Sequence, residues 1–201
     1  MQLTLFFTRG NSLKTWHATG SLMRETALYQ KLQDKGISVS FLTYGNKSEA
    51  AFAEALPGIE ILYNRWNLPL PLYELLCPWL HANPLRRTDV IKTNQIKGAH
   101  TALLAGKVWG KPVIIRQGYI WSKNLSYERS HQLKARFARL YENLTLKRAS
   151  RLIVTTQSMR NEMARRFPDL AERITVIPNY VDVERFQPSP DRRPAHQLIY
   201  V

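Results

Sequence analysis

Residues 151–188 read RLIVTTQSMRNEMARRFPDLAERITVIPNYVDVERFQP. An apolar run, Leu152 to Val154, is closed by Thr155 and Thr156. Met159, Met163 and Phe167 then recur every fourth residue, which places them on one face of a helix. A second apolar run, Ile174 to Ile177, ends in Pro178-Asn179. Strand, helix, strand in this order is a βαβ unit and predicts a parallel sheet. The Pro-Asn pair predicts a sharp turn at the carboxyl end of the last strand, where open α/β sheets bind their ligands.

The same alternation runs through the upstream sequence. Residues 3–7 predict a first strand, followed by a polar loop over 8–20. A helix over about 21–35 is predicted to turn Leu22, Ala27, Leu28 and Leu32 to the core, with Gly36 as its stop. Strands follow at 39–43 and 59–63, separated by a short helix over 49–56. Residues 63–87 break the rhythm, because Pro69, Pro71, Pro78 and Pro84 interrupt an apolar, Trp-bearing stretch. A helical piece there, about 72–80, should bend or end before Pro78. Strands at 89–93 and 113–116 flank a helix over 99–109. Residues 121–127 read as a polar loop before a long helix, 128–148. In that helix Leu133, Phe137, Leu140, Tyr141 and Leu144 step by three and four, and are expected to face the core. Lys134, Arg136, Arg139, Lys147 and Arg148 fall on its polar sides. The predicted fold is α/β, a Rossmann-like doubly wound parallel sheet of about seven strands with helices on both faces. It should occupy residues 1–182, with a proline-rich linker over 183–196 and, at 197–201, the first strand of another domain.

Lys and Arg number 29 against 15 Asp and Glu, a net charge of +14 that favours anionic partners. Basic residues spread over several helices, rather than interleaved with aromatics on one face, point away from nucleic acid. A basic nucleic-acid-binding protein and a non-catalytic α/β binding module are the competing readings. A single cysteine, Cys77, excludes an internal disulfide and fits a reducing compartment. The apolar start lacks a preceding basic region and reads as a strand, not a signal peptide. The histidines are scattered without ligand spacing, so no metal site is expected. The sequence has no carboxylate pair or nucleophile–base pattern from which catalytic residues could be assigned.

Ile177-Pro178-Asn179-Tyr180-Val181-Asp182, with Phe186 and Pro188 beyond, resembles the IPNGVD…F.P signature of GT-B glycosyltransferases of family 4, with Tyr180 in place of the family's glycine. Gly36-Ile37-Ser38-Val39 is similar to the family's GHEV passage. Asp89-Val90-Ile91 before Thr93-Asn94 is similar to its DVIH.H strand, and Lys111-Pro112-Val113-Ile114 before Gln117-Gly118 to its KPVV…HG strand. Residues 151–156 resemble its..II.VS strand, and all of these stand in the family's order.

The resemblance implies the N-terminal, acceptor-side domain of a glycosyltransferase. The complete enzyme would transfer a sugar from a nucleotide-sugar to a lipid- or polysaccharide-linked glycan, with retention and without a metal or other cofactor. A missing C-terminal domain, or a separate chain, would supply the donor domain, so this chain alone is expected to be inactive. Thr19-Gly20 stand where the family has Gly-Gly facing the diphosphate at a helix N-terminus. The resemblance assigns Thr19, Gly20, Arg116, Gln117 and Gly118 to the donor phosphate and sugar. Gln117 replaces a frequent histidine and cannot titrate. Trp16, His17, Asn94 and Tyr119 are assigned to the acceptor. Lipid-linked acceptors imply a cytoplasmic protein that meets an anionic membrane peripherally. Residues 63–87, with Trp66 and Trp79, are then the expected shallow anchor, aided by the basic sides of 128–148.

Overall fold

The computed structural model describes residues 1–127 and 131–180. Seven strands form one sheet: β1 (Gln2–Phe6), β2 (Ser38–Leu42), β3 (Ile59–Leu62), β4 (Val90–Thr93), β5 (Val113–Gln117), β6 (Arg151–Val154) and β7 (Ile174–Val176). All pairings are parallel, in the order β3-β2-β1-β4-β5-β6-β7. This is the doubly wound sheet that the alternating pattern predicts. Strands buried on both faces need near-continuous apolar sequence, and in β1 residues 3–6 are all buried.

Right-handed crossovers sort the helices by direction of travel. Connections stepping toward β3 lie on one face. There α1 (Leu13–Ala18) and α2 (Leu22–Gln33) set Leu13, Trp16, Leu22 and Tyr29 against Leu5, Val39 and Phe41. Connections stepping toward β7 lie on the other face. These are α3 (Leu70–Leu80), α4 (Ala82–Arg87), α5 (Ala99–Trp109), α6 (Trp121–Ser126), α7 (Gln132–Leu146) and α8 (Gln157–Arg166). Cys77, Leu85, Ala102, Leu146 and Met163 from this layer meet Phe6, Ile91, Ile115 and Leu152. Burial pushes the Cys77 thiol up, which keeps it protonated and inert.

Several expectations are corrected. The loop predicted at 8–20 contains α1, because Ser12 caps it, accepting a bond from Thr15 N–H at 3.1 Å, and the Glu49 carboxylate accepts from Leu13 N–H at 2.8 Å. The core face of α2 is Leu22, Thr26 and Tyr29, while Leu28 is exposed. Thr26 can take a core position because its hydroxyl bonds the Leu22 carbonyl at 2.8 Å. The helix of 63–87 runs through Pro78 to Leu80, and Pro71 lies in its first turn, where no N–H is needed. Of the loop predicted at 121–127, Trp121–Ser126 form α6.

The largest correction concerns α7. Its buried side is Ala135, Ala138, Glu142, Thr145 and Leu146. Leu133, Phe137, Leu140 and Leu144 face outward, at 70, 71, 54 and 50% exposure. Glu142 decides this phase. Fully buried, it binds Arg166 Nη1 at 2.6 Å, Ser122 Oγ at 2.6 Å, Ser122 N at 3.0 Å and Gln117 Nε2 at 3.2 Å. A carboxylate with four donors holds its side of the helix inward, and small residues beside it let the backbone approach. The predicted start of this helix at 128, the linker and the strand at 197–201 lie outside the described residues.

Candidate functional site

In a parallel sheet all carboxyl ends share one edge, and a crevice opens where the strand order reverses, here between β1 and β4. On the β4–β7 side this edge is tied together by side chains. Arg116, half-buried at the end of β5, donates from Nη1 to the Asn94 carbonyl at 3.3 Å and from Nη2 to Asn179 Oδ1 at 2.7 Å. The turn after β7 is thereby joined to the loop after β4. Gln95 Oε1 accepts from Gly118 N–H at 2.9 Å, and Thr155 Oγ donates to the Gly118 carbonyl at 3.1 Å. A Cβ at position 118 would lie 3.0 Å from the Gln95 amide nitrogen, so glycine permits this approach. Tyr119, 38% exposed, follows at the same edge, and partial burial pushes its phenol up. Tyr180, where the resembled family carries glycine, donates its hydroxyl to the Arg24 carbonyl of α2 and so ties the end of β7 across to that helix.

Arg116 and Gly118, which the resemblance assigns to the donor, and Asn94 and Tyr119, which it assigns to the acceptor, lie together at this edge. Gln117 is not part of that surface. It is fully buried, its Nε2 donates to Glu142, and its Oε1 accepts no hydrogen bond from the described residues. Alternation along β5 explains this: Arg116 faces the crevice side and Gln117 the α7 side. Trp16 also leaves the predicted acceptor surface. It is 4% exposed and stacks on Phe7 at 4.0 Å between ring centroids. His17 is exposed on α1 and tilts against Phe52.

Thr19 closes the C-terminus of α1, with its N–H and its hydroxyl both on the Thr15 carbonyl. Gly20 follows at φ +67°, and its N–H donates to the His17 carbonyl. Their amides are thus used inside the turn, contrary to the expectation of free donors at 19 and 20. Ser21 precedes the first turn of α2 but makes no side-chain cap, so its hydroxyl accepts no bond from the amides of the first turn. The helix N-terminus nearest to Thr19-Gly20 is that of α2, two residues past Gly20.

A second cluster, at the β1–β4 switch point, escaped the sequence reading. Arg9, just past β1, grips Glu74 of α3 with two bonds, 2.8 and 3.1 Å. His100 Nε2 lies 3.5 Å from the same carboxylate. On its other side His100 Nδ1 meets Tyr141 Oη at 2.9 Å, and that hydroxyl also accepts from Gly98 N–H and donates to the Ile96 carbonyl. Burial pulls the His100 pKa below its ordinary value and Arg9 pushes the same way, while Glu74 opposes them. Glu74 is the one acid among the apolar residues 63–87, and that isolation was the available signal. Among the described residues no group of three or more His, Cys, Asp or Glu side chains is placed to hold a metal ion.

A parallel sheet of this order, with helices on both faces, is a Rossmann-like α/β fold. The chain belongs to glycosyltransferase family 4, whose family model matches residues 26–185. Among solved structures it is similar to HepE from Anabaena in complex with UDP, at TM-score 0.58 and 18% identity, over 94% of this chain and 47% of that one. It is similar to MurG from Acinetobacter baumannii, at TM-score 0.55 and 17% identity, over 96% and 50%. It is also similar to the lipopolysaccharide outer core galactosyltransferase WaaB, at 0.52 and 14%, over 97% and 51%. At these identities the likeness is one of fold, and the chain spans about half the length of each. No curated protein matches the sequence significantly.

Proposed function

We propose that the chain is the N-terminal, acceptor-side half of a retaining, metal-independent glycosyltransferase. The complete enzyme transfers a sugar from a nucleotide-sugar to a lipid- or polysaccharide-linked glycan, at the cytoplasmic face of a membrane with anionic lipid. The family match over residues 26–185 carries this reading. HepE structures contain UDP and UDP-glucose, which supports a uridine-type donor class for the proposal. The donor half is supplied by a further domain or a second chain.

The chemistry assigned to this half is positioning. The guanidinium of Arg116 and the first turn of α2 offer positive potential to the diphosphate end of the donor. Thr19 and Gly20 shape that turn. Asn94, Gln95, Gly118 and Tyr119 offer amides and a phenol to sugar hydroxyls on the acceptor side. Glu74 and His100 stand at the crevice as a carboxylate–imidazole pair within reach of an acceptor hydroxyl entering between β1 and β4.

The test is transfer of labelled sugar by the full two-half enzyme to extracted lipid-linked and polysaccharide acceptors. Arg116→Ala and Gln95→Ala should each lower kcat/KM by about 10- to 100-fold, the loss of one or two charge-assisted or neutral hydrogen bonds. Circular dichroism should stay unchanged. Turnover by residues 1–201 alone would overturn the division of labour, and failure of the full enzyme with every nucleotide-sugar would overturn the enzymatic reading.

A further inference from the structure

The outward side of α7 has a composition that water does not favour. Leu133, Phe137, Leu140 and Leu144 form one stripe along the exposed midline, and all four are at least half exposed. From Leu133 to Leu144 the stripe runs about 16 Å at the helical rise. Lys134 flanks it on one side and Arg136 and Arg139 on the other, with Lys147 and Arg148 at its end, all exposed. The one acid of the helix, Glu142, is buried on Arg166, so no carboxylate of α7 offsets these cations. Beside the stripe lies an open groove of about 670 Å³, lined by Trp121, Leu125, Phe137, Leu140, Tyr141 and Leu144. Lys97 stands over the Trp121 ring at 4.9 Å and Lys134 also borders the groove. The groove therefore connects the outer surface of α7 with the loop after β4, at the carboxyl edge of the sheet.

We propose that α7 lies flat in the headgroup layer of an anionic bilayer, with Leu133, Phe137, Leu140 and Leu144 among the acyl chains. An apolar midline rimmed by long cationic side chains is the pattern of an in-plane interfacial helix. Lys and Arg extend their alkyl stems along the apolar surface and place their charges at the phosphates. A second copy of the chain is the poorer occupant, because a two-fold contact would set two uncompensated cationic rims face to face. A basic protein surface meets the same objection. Among the described residues no helix is long and apolar enough to cross a membrane, so the contact is with one leaflet. The edge loops then open near the headgroups, where a lipid-linked glycan would present its sugar.

This deepens the membrane clause of the functional proposal, and it moves the anchor from α3 to α7. On α3, Leu72, Leu75 and Trp79 are exposed, but Trp66 is occupied by Arg65 and by His81. The test uses the whole chain and vesicles of phosphatidylcholine with or without phosphatidylglycerol, at low and high salt. Sedimentation should require phosphatidylglycerol and weaken with salt. The double variant Phe137→Ser/Leu140→Ser removes exposed side chains only, so its thermal midpoint should match the parent. Its vesicle affinity should fall about tenfold or more, while Leu75→Ser/Trp79→Ser should stay within about twofold. Equal binding by the α7 variant would overturn the proposal. So would absence of vesicle binding, in particular together with a dimer in ultracentrifugation that the α7 variant abolishes, which would make the stripe a protein interface. No nucleotide-sugar or acceptor enters the assay, so its failure leaves the transfer reading intact, and a failed transfer assay leaves this one intact.

Discussion

Lys92 and Glu142 show how single buried charges are handled in opposite ways. Lys92 is buried on β4 and, among the described residues, has as hydrogen-bond partners only the Tyr29 hydroxyl, at 2.9 Å, and the Thr93 carbonyl, at 3.5 Å. Burial, seconded by the charge of Arg116, pulls its pKa from the ordinary 10.5 to about 7. A lowered lysine pKa means that the unfolded chain binds the extra proton between those values. Stability should therefore rise as pH climbs from about 7 toward 10.5, where the penalty for burying the ammonium vanishes. Urea unfolding at neutral and alkaline pH should show this slope, and Lys92→Met should flatten it. An unchanged slope in the variant would show that Lys92 is not its source. Glu142, by contrast, has Arg166 and three further donors. Glu142→Ala leaves the Arg166 guanidinium, itself mostly buried, with Asn143 and the Arg139 carbonyl but without its carboxylate, and should cost about 3–5 kcal/mol of unfolding free energy. A loss near 1 kcal/mol, the range of an exposed pair, would refute that role.

At the scale of elements, close backbone approach does what large side chains do elsewhere. The helix α5 packs Ala99, Ala102, Ala105 and Gly106 on the sheet. A Cβ at Gly106 would meet Val113 Cγ2 at 2.4 Å and the Lys111 carbonyl at 2.8 Å. Gly106→Ala should cost about 1–3 kcal/mol through overpacking, although alanine is the better helix former. A stabilised variant would mean that α5 moves off β5 at little cost. The same preference for small contacts explains α7. Ala135 and Ala138 are buried there, and the bulky residues are left outside. Periodicity alone marks two faces of such a helix and does not say which is inward. Hydrophobicity named the wrong one because the phase is set by a polar group, Glu142, whose partners come from α6, β5 and α8.

For the molecule as a whole the charge matters more than any pair. A net +14 on a chain of this size repels itself, and among the described residues the ion pairs are few and mostly exposed. Added salt shortens the Debye length to about 8 Å at physiological strength and should relieve that repulsion. The thermal midpoint should rise from very low to moderate sodium chloride, with the same change produced by equimolar potassium chloride. A midpoint that falls with salt would show that attractive pairs outweigh the repulsion. Seen at this scale the sheet is also asymmetric. One layer of helices covers β4 to β7 on the α7 side, while on the α2 side Arg151 and Thr175 are exposed and Ile177 is half exposed.

The apolar runs, their spacing and the turn residues between them were enough to determine about seven strands and their parallel sense, because these depend on local periodicity and on the handedness of crossovers, while the family was legible only through the resemblance of motifs such as that at residues 177–182. The resemblance put Arg116, Gly118, Asn94 and Tyr119 at strand ends, and the structure has them at the carboxyl edge of the sheet, since strand ends are marked in the chain by their breakers. What lies across the sheet was not legible. Arg9, Glu74, His100 and Tyr141 come from four segments far apart in sequence, and only packing makes them one cluster. Trp16 and Gln117 looked available because they adjoin loops, yet tertiary packing buries both. The orientation of α7 was decided in the same way: a buried carboxylate must find donors, the donors lie on other elements, and satisfying them outweighs the exposure of four large apolar side chains.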